Sequence, residues 1–139
     1  MKIRAIALHQ PWASLIFSGD KHHETRAWPC PAHVVGTRIA ICAAKKLTLR
    51  GLPAVLMSRL LELFGNDRPP AGVILGTALV QSCKLAQDAV PVSRFDFLSG
   101  DWTRDRYVWR LTDVRPLATP IPVTCRQSWF TVEIPEGQA

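Results

Sequence analysis

Hydrophobic and polar positions change their spacing several times along the chain, and each change marks an element. Residues 2–8 alternate weakly, with Ile3, Ala5 and Ala7 set against Arg4, Ile6 and Leu8, which predicts a short strand. Pro11 suits the first turn of a helix, with His9 or Gln10 near its cap and Gly19 as its terminator. Trp12, Leu15, Ile16 and Gly19 then share one helical face. Residues 22–28 read as extended chain, with His23, Thr25 and Ala27 on one side and Glu24, Arg26 and Trp28 on the other. Pro29 and Pro31 break this run.

The stretch 34–44 is apolar at nearly every position after Arg38, the pattern of a central strand covered on both faces, and it ends at Lys45 and Lys46. Between Pro53 and Phe64, Val55, Leu56, Leu60, Leu63 and Phe64 recur at helical spacing, closed by Gly65 and a turn over 66–70. Residues 72–85 predict a long strand in which Gly76 marks a bulge or a close backbone approach. Residues 86–104 are polar and irregular, an expected excursion over the surface. A strand over 107–111 is expected to break at Thr112 and Asp113 before resuming at 114–117, and residues 129–134 make the last one. The expected fold class is α+β: a mixed β-barrel of five or six strands with short helices at its ends.

Composition narrows the setting. A chain of 139 residues with 47% hydrophobic and 20% charged side chains predicts a single domain over 1–139 with a real core. No apolar run reaches the ~18 residues of a membrane span, and Gln10, Pro11 and Trp12 interrupt any leader-like pattern. A soluble, cytoplasmic protein is expected. Four cysteines at 30, 42, 83 and 125 form no C-x-x-C, and His22, His23, Cys30 and His33 match no zinc spacing. Free thiols, no metal and no cofactor are therefore expected.

Charge is distributed unevenly. The net charge is +6, and residues 1–50 hold 8 basic and 2 acidic side chains while the remainder is balanced. Twelve of the 17 basic residues are arginine, whose planar fork suits phosphates and base edges. This bias is compatible with a nucleic-acid partner, RNA or DNA.

Candidate chemistry concentrates between residues 8 and 28. Lys21 offers a phosphate contact and Arg26 a bidentate fork, while Trp12 and Trp28 offer stacking planes. Glu24 can accept from a base amino group or hold Lys21 and Arg26 in place. The same residues also read as a surface ion pair and two core tryptophans. Lys45 and Lys46 extend a strand whose end should reach the same site. Arg126, Ser128 and Trp129 are candidates for a second rim. His9 reads as a hydrogen-bonded structural histidine in preference to a general base, and His22 and His23 as a solvated turn or, when protonated, phosphate contacts; Asp101, Arg104, Asp105 and Arg106 read as solvated, self-paired charge.

The run Gly19-Asp-Lys21-His-His-Glu24-Thr-Arg26 is similar to the G-x-K-x-x-E-x-R signature of the ASCH domain, a relative of the PUA-like fold. Residues 9–15, His-Gln-Pro-Trp-Ala-Ser-Leu, are close to the matching stretch in the ASCH domain of the eukaryotic activating signal cointegrator. The segments 41–46, 72–76 and 107–111 also look like successive pieces of that domain, so the resemblance runs from residue 3 to about 111. It implies a PUA-like barrel with a cleft lined by the signature, and binding of RNA or DNA or hydrolysis there. One branch resembles amidohydrolases that act on an acetylated cytidine through a Thr, a Lys and a Glu; other bacterial members resemble ribonucleases. Lys21 matches the lysine of that branch, Glu24 stands at the threonine, Thr25 is expected on the opposite strand face, and the strand 72–80 carries no carboxylate. Cys125 stands where relatives often carry glycine.

Two functions follow. One is a nucleic-acid-binding module that grips a single strand or an end through Trp12, Lys21, Glu24, Arg26, Trp28, Lys45 and Lys46. The other is a hydrolase on RNA or a modified nucleoside, with Lys21 and Glu24 as acid–base partners.

Overall fold

The computed structural model describes residues 1–138. Six strands and three short helices follow one another as β1 (Lys2–Gln10), α1 (Trp12–Phe17), β2 (His23–Arg26), β3 (Arg38–Leu47), α2 (Ala54–Phe64), β4 (Val73–Leu85), α3 (Arg94–Leu98), β5 (Tyr107–Pro122) and β6 (Phe130–Glu133). They form one mixed sheet in the order β2-β5-β4-β3-β1-β6, with β1 and β3 parallel and every other pair antiparallel. The expected α+β class and PUA-like strand count hold, although the ladder is not closed: β2 and β6 are its two edges. No helix among the described residues is long and apolar enough to cross a membrane.

Strand alternation explains how the core is divided. On β3, Ile39, Ile41 and Ala43 enter one cluster with Ile6, Leu8, Ile16 and Trp109, while Ala40 and Cys42 enter another with Ile3, Ile74, Leu117 and Val132. The strand is therefore covered on both faces, as its unbroken apolar run predicts. It begins four residues later than expected, because residues 34–37 form a turn in which Val34 accepts from the amide and hydroxyl of Thr37. It also continues through Lys45 and Lys46 to Leu47.

Gly76 shows both features expected of it. The β4–β5 register shifts between Ile74 and Gly76, and a Cβ there would overlap the Arg115 carbonyl and the Phe17 ring. Missing bulk at Gly76 thus seats α1 on the sheet. Gln10 caps that helix: its Oε1 accepts from Ser14 N at 3.0 Å, and its Nε2 donates to Pro70 O at 2.7 Å.

Two expectations need correction. Residues 107–122 form one long strand, since register shifts absorb the irregularity and Asp113 takes φ 45° without ending the pairing. Residues 86–104 are not a loose surface excursion: they hold a 3₁₀ turn over Ala86–Asp88 and helix α3, and they bury Asp96 and Ser99.

Candidate functional site

Edge strand β2, the end of β1, α1 and the segment 98–106 enclose a cleft of about 530 Å³. Trp12, Lys21, Glu24 and Arg26 line it together. Lys21 sits in the turn after α1, where its amide donates to Leu15 O, and so projects from the helix end toward the cleft floor. Its side chain is 1% exposed; Nζ donates to Ser99 O at 2.6 Å and lies 3.9 Å from Glu24 Oε1 and 5.9 Å from the Trp12 ring centre. Burial lowers the Lys21 pKa against the opposing pull of Glu24 and Asp96.

Glu24 is also buried, with one hydrogen bond on each oxygen. Its Oε1 accepts from Thr25 N at 3.1 Å, and its Oε2 accepts from Arg26 Nε at 3.2 Å. Arg26 lies between two tryptophans, 5.7 Å from the ring centres of both Trp28 and Trp109, and Trp109 in turn stacks on Trp129 at 5.9 Å with a 3° interplanar angle. Trp28 itself is 53% exposed and stands in a neighbouring groove of about 540 Å³, which shares Ala7, His9 and Arg26 with the cleft and continues to Arg126, Gln127 and Ser128.

The opposite wall was not legible as a site. Asp96 Oδ1 accepts from the amides of His22 and His23 at 2.7 and 3.0 Å, while Oδ2 accepts from Val92 N at 2.9 Å and lies 2.8 Å from His23 Nδ1. Burial alone would raise the Asp96 pKa, but the bonds from His23, Val92 and His22 outweigh it and hold the carboxyl at about 2. This clasp fixes α3 against the start of β2 and delivers Ser99 O to Lys21. His23 is consequently buried structure rather than a turn residue.

Other placements differ from expectation. Thr25 lines the cleft although alternation puts it on the far side of β2. The reason is that β2 is an edge strand and residues 98–101 fold over its open edge, so that Asp101 N donates to Thr25 Oγ1 at 2.9 Å. Asp101 and Arg106 are self-paired, at 3.5 Å, but they stand in the cleft wall rather than on open surface. Lys45 and Lys46 are exposed and line neither the cleft nor the groove. Within the cleft, Lys21, Arg26 and Arg106 face Glu24 and Asp101, so its charges nearly balance.

Among the described residues, no three His, Cys, Asp or Glu side chains are grouped to hold a metal ion. The four cysteines are unpaired, and burial pushes the thiols of Cys30 and Cys42 up to about 11 and about 12, leaving little thiolate at neutral pH.

Comparison with known proteins matches the fold. Solved structures of the ASCH protein from Zymomonas mobilis align over 94% of this chain and 87% of their own, with a TM-score of 0.52 at 17% identity. Two of its single-residue mutants align equally well, at 17% and 18% identity. No curated protein matches. The sequence model of the ASCH domain matches residues 6–108, a span that includes α1, the whole signature from Gly19 to Arg26 and the Asp96 clasp, and on that match the chain belongs to the ASCH domain family.

Proposed function

We propose that this protein binds nucleic acid in the cytoplasm, taking one unstacked nucleotide of an RNA, a single-stranded DNA or a DNA end into the cleft. The observation that carries this reading is the Arg26–Trp28 pair, with Arg26 in the cleft and exposed Trp28 in the adjoining groove. An exposed indole backed by a guanidinium is a stacking platform for a base, and the adjoining groove gives the strand a path past Arg126. The cleft volume lies within the ~300–1,000 Å³ typical of sites for small ligands. Buried Lys21 and Glu24 and half-buried Arg26 supply donors and acceptors for a base edge or sugar, while exposed Lys45 and Lys46 supply longer-range attraction. The working unit we propose is the chain 1–139 as one domain.

The test is a titration with single- and double-stranded RNA and DNA, with product analysis of the same samples. Trp28→Ala should weaken single strands by about 1–3 kcal/mol and duplex by less. Equal loss on both would refute stacking at the rim. No binding to any of the four polymers at low salt would defeat the reading.

One observation favours hydrolysis as a second reading: a buried lysine with lowered pKa lies 3.9 Å from Glu24, in a cleft that also contains Thr25. Lys21 and Glu24 would then be acid–base partners on RNA or a modified nucleoside. Glu24→Gln separates the two. A binder loses affinity or preference, whereas a hydrolase keeps its affinity while product formation collapses.

A further inference from the structure

On the sheet face turned away from the cleft lies a second cavity of about 470 Å³, between β2, β5, β4 and the segment 88–92. Its floor is a row across three strands. His23 of β2 stands directly opposite Arg110 of β5, and Arg110 stands directly opposite Ser82 of β4. Lys84 and Asp88 mark the rim, and Val90, 82% exposed, and Val92 form an apolar lip.

Arg110 is anomalous in its pairing. The other half-buried arginines among the described residues all meet a carboxylate: Arg26 meets Glu24, Arg38 meets Asp113, Arg59 meets Asp20 and Arg106 meets Asp101. Arg110 meets none, and its Nη1 is buried without a hydrogen-bond partner. A desolvated guanidinium nitrogen with no acceptor leaves the charge of Arg110 uncompensated, and an anion on the cavity side of the fork would offset it. Asp96, which binds the ring of the facing His23, is already occupied by that ring and three backbone amides.

We propose that this cavity is a phosphate-binding site, with Arg110 as its anchoring donor, Ser82 as a second donor and Lys84 as the charge at its mouth. The guanidinium fork matches two phosphate oxygens, and two cations against the single Asp88 leave the cavity with a positive surplus. A lone phosphate would leave much of the volume empty, and the apolar lip accommodates a nucleoside attached to it. The site is distinct from the cleft and goes beyond the function proposed for it.

The experiment uses the full chain, titrated with inorganic phosphate, adenosine 5′-monophosphate, adenosine and a short single-stranded oligonucleotide. It follows thermal unfolding and the Arg110 side-chain N–H resonances together. Phosphate and the monophosphate should raise the unfolding temperature and move the Arg110 signals, and adenosine should do neither. Arg110→Gln should weaken phosphate binding at least tenfold and Lys84→Ala about threefold. Arg26→Ala, which disables the cleft, should leave phosphate binding unchanged, so failure of one site is distinguishable from failure of the other. Monophosphate binding tighter than inorganic phosphate makes a small nucleotide the occupant; equal binding of phosphate and oligonucleotide makes it a backbone phosphate. Stationary Arg110 signals in the wild-type chain overturn the proposal even if Arg110→Gln fails to fold. An undiminished response in Arg110→Gln overturns it as well.

Discussion

The β2 wall of the cleft and the wall opposite it, residues 98–106, carry similar side chains but are held in different ways. On the β2 wall, Lys21, Glu24 and Arg26 come from six consecutive positions and form ion pairs with one another, so the wall is assembled largely by local sequence, with Lys21 also donating across the cleft to Ser99 O. The opposite wall contains Ser99, Asp101 and Arg106 and is held from a distance: Asp96 grips β2 across more than seventy positions, and Asp101 and Arg106 add bonds to Thr25. Local walls tolerate the loss of one member because neighbours remain paired. A wall whose buried clasp on β2 is a single carboxylate loses more when that carboxylate goes, because its other bonds to β2 are part-buried or exposed.

The largest effect should come from breaking that carboxylate. Asp96→Ala leaves two amides, a third from Val92 and the His23 ring without their acceptor, and should cost about 3–5 kcal/mol in urea unfolding. If the contrast between walls is right, hydrogen exchange should accelerate over 92–101 more than over β1 and β3.

Acid provides the next measure. The folded Asp96 pKa of about 2 lies below its unfolded value near 3.9, so its stabilisation is present above the unfolded value and is lost as pH falls toward 2. On the order of 2 kcal/mol should disappear across that window, and Asp96→Asn should flatten this part of the profile.

Lys21→Met should change stability by about 1 kcal/mol or less in either direction, since a buried ammonium gives up its desolvation cost along with its contacts. The same variant should lose nucleic-acid binding. A loss of stability as large as that of Asp96→Ala would erase the distinction between the two walls. The smallest effect belongs to Lys45 and Lys46. Changing both to Ala should leave stability within about 0.5 kcal/mol and only flatten the salt dependence of binding, because both are exposed.

These differences also explain what could be read in advance. The signature from Gly19 to Arg26, the doubly covered β3 and the seat at Gly76 depend on neighbours in sequence or on missing side-chain volume, and all leave a pattern. Thr25, Asp101, Arg106 and Asp96 depend on a segment folding over an open strand edge, for which strand alternation has no signal. A capping pattern was nonetheless available: Ser93, whose hydroxyl accepts from Asp96 N, stands three residues before an acidic side chain ahead of an apolar run, and marks the start of α3. Arg110 left no trace at all, because an unpartnered guanidinium is visible only once its surroundings are placed.

The order of strands in the sheet also governs time. β1 finds its partners among residues 38–47 and 130–133, and β2 among residues 107–110, so each pairing closes a loop of many residues before it gains anything. Helix α1, six residues long, is too short to persist before β4 offers it Gly76. The cleft therefore cannot exist in a partly emerged chain: its signature leaves the ribosome before β5 and waits, unstructured, for it. Folding should be slow and concerted, with the site among the last features to appear.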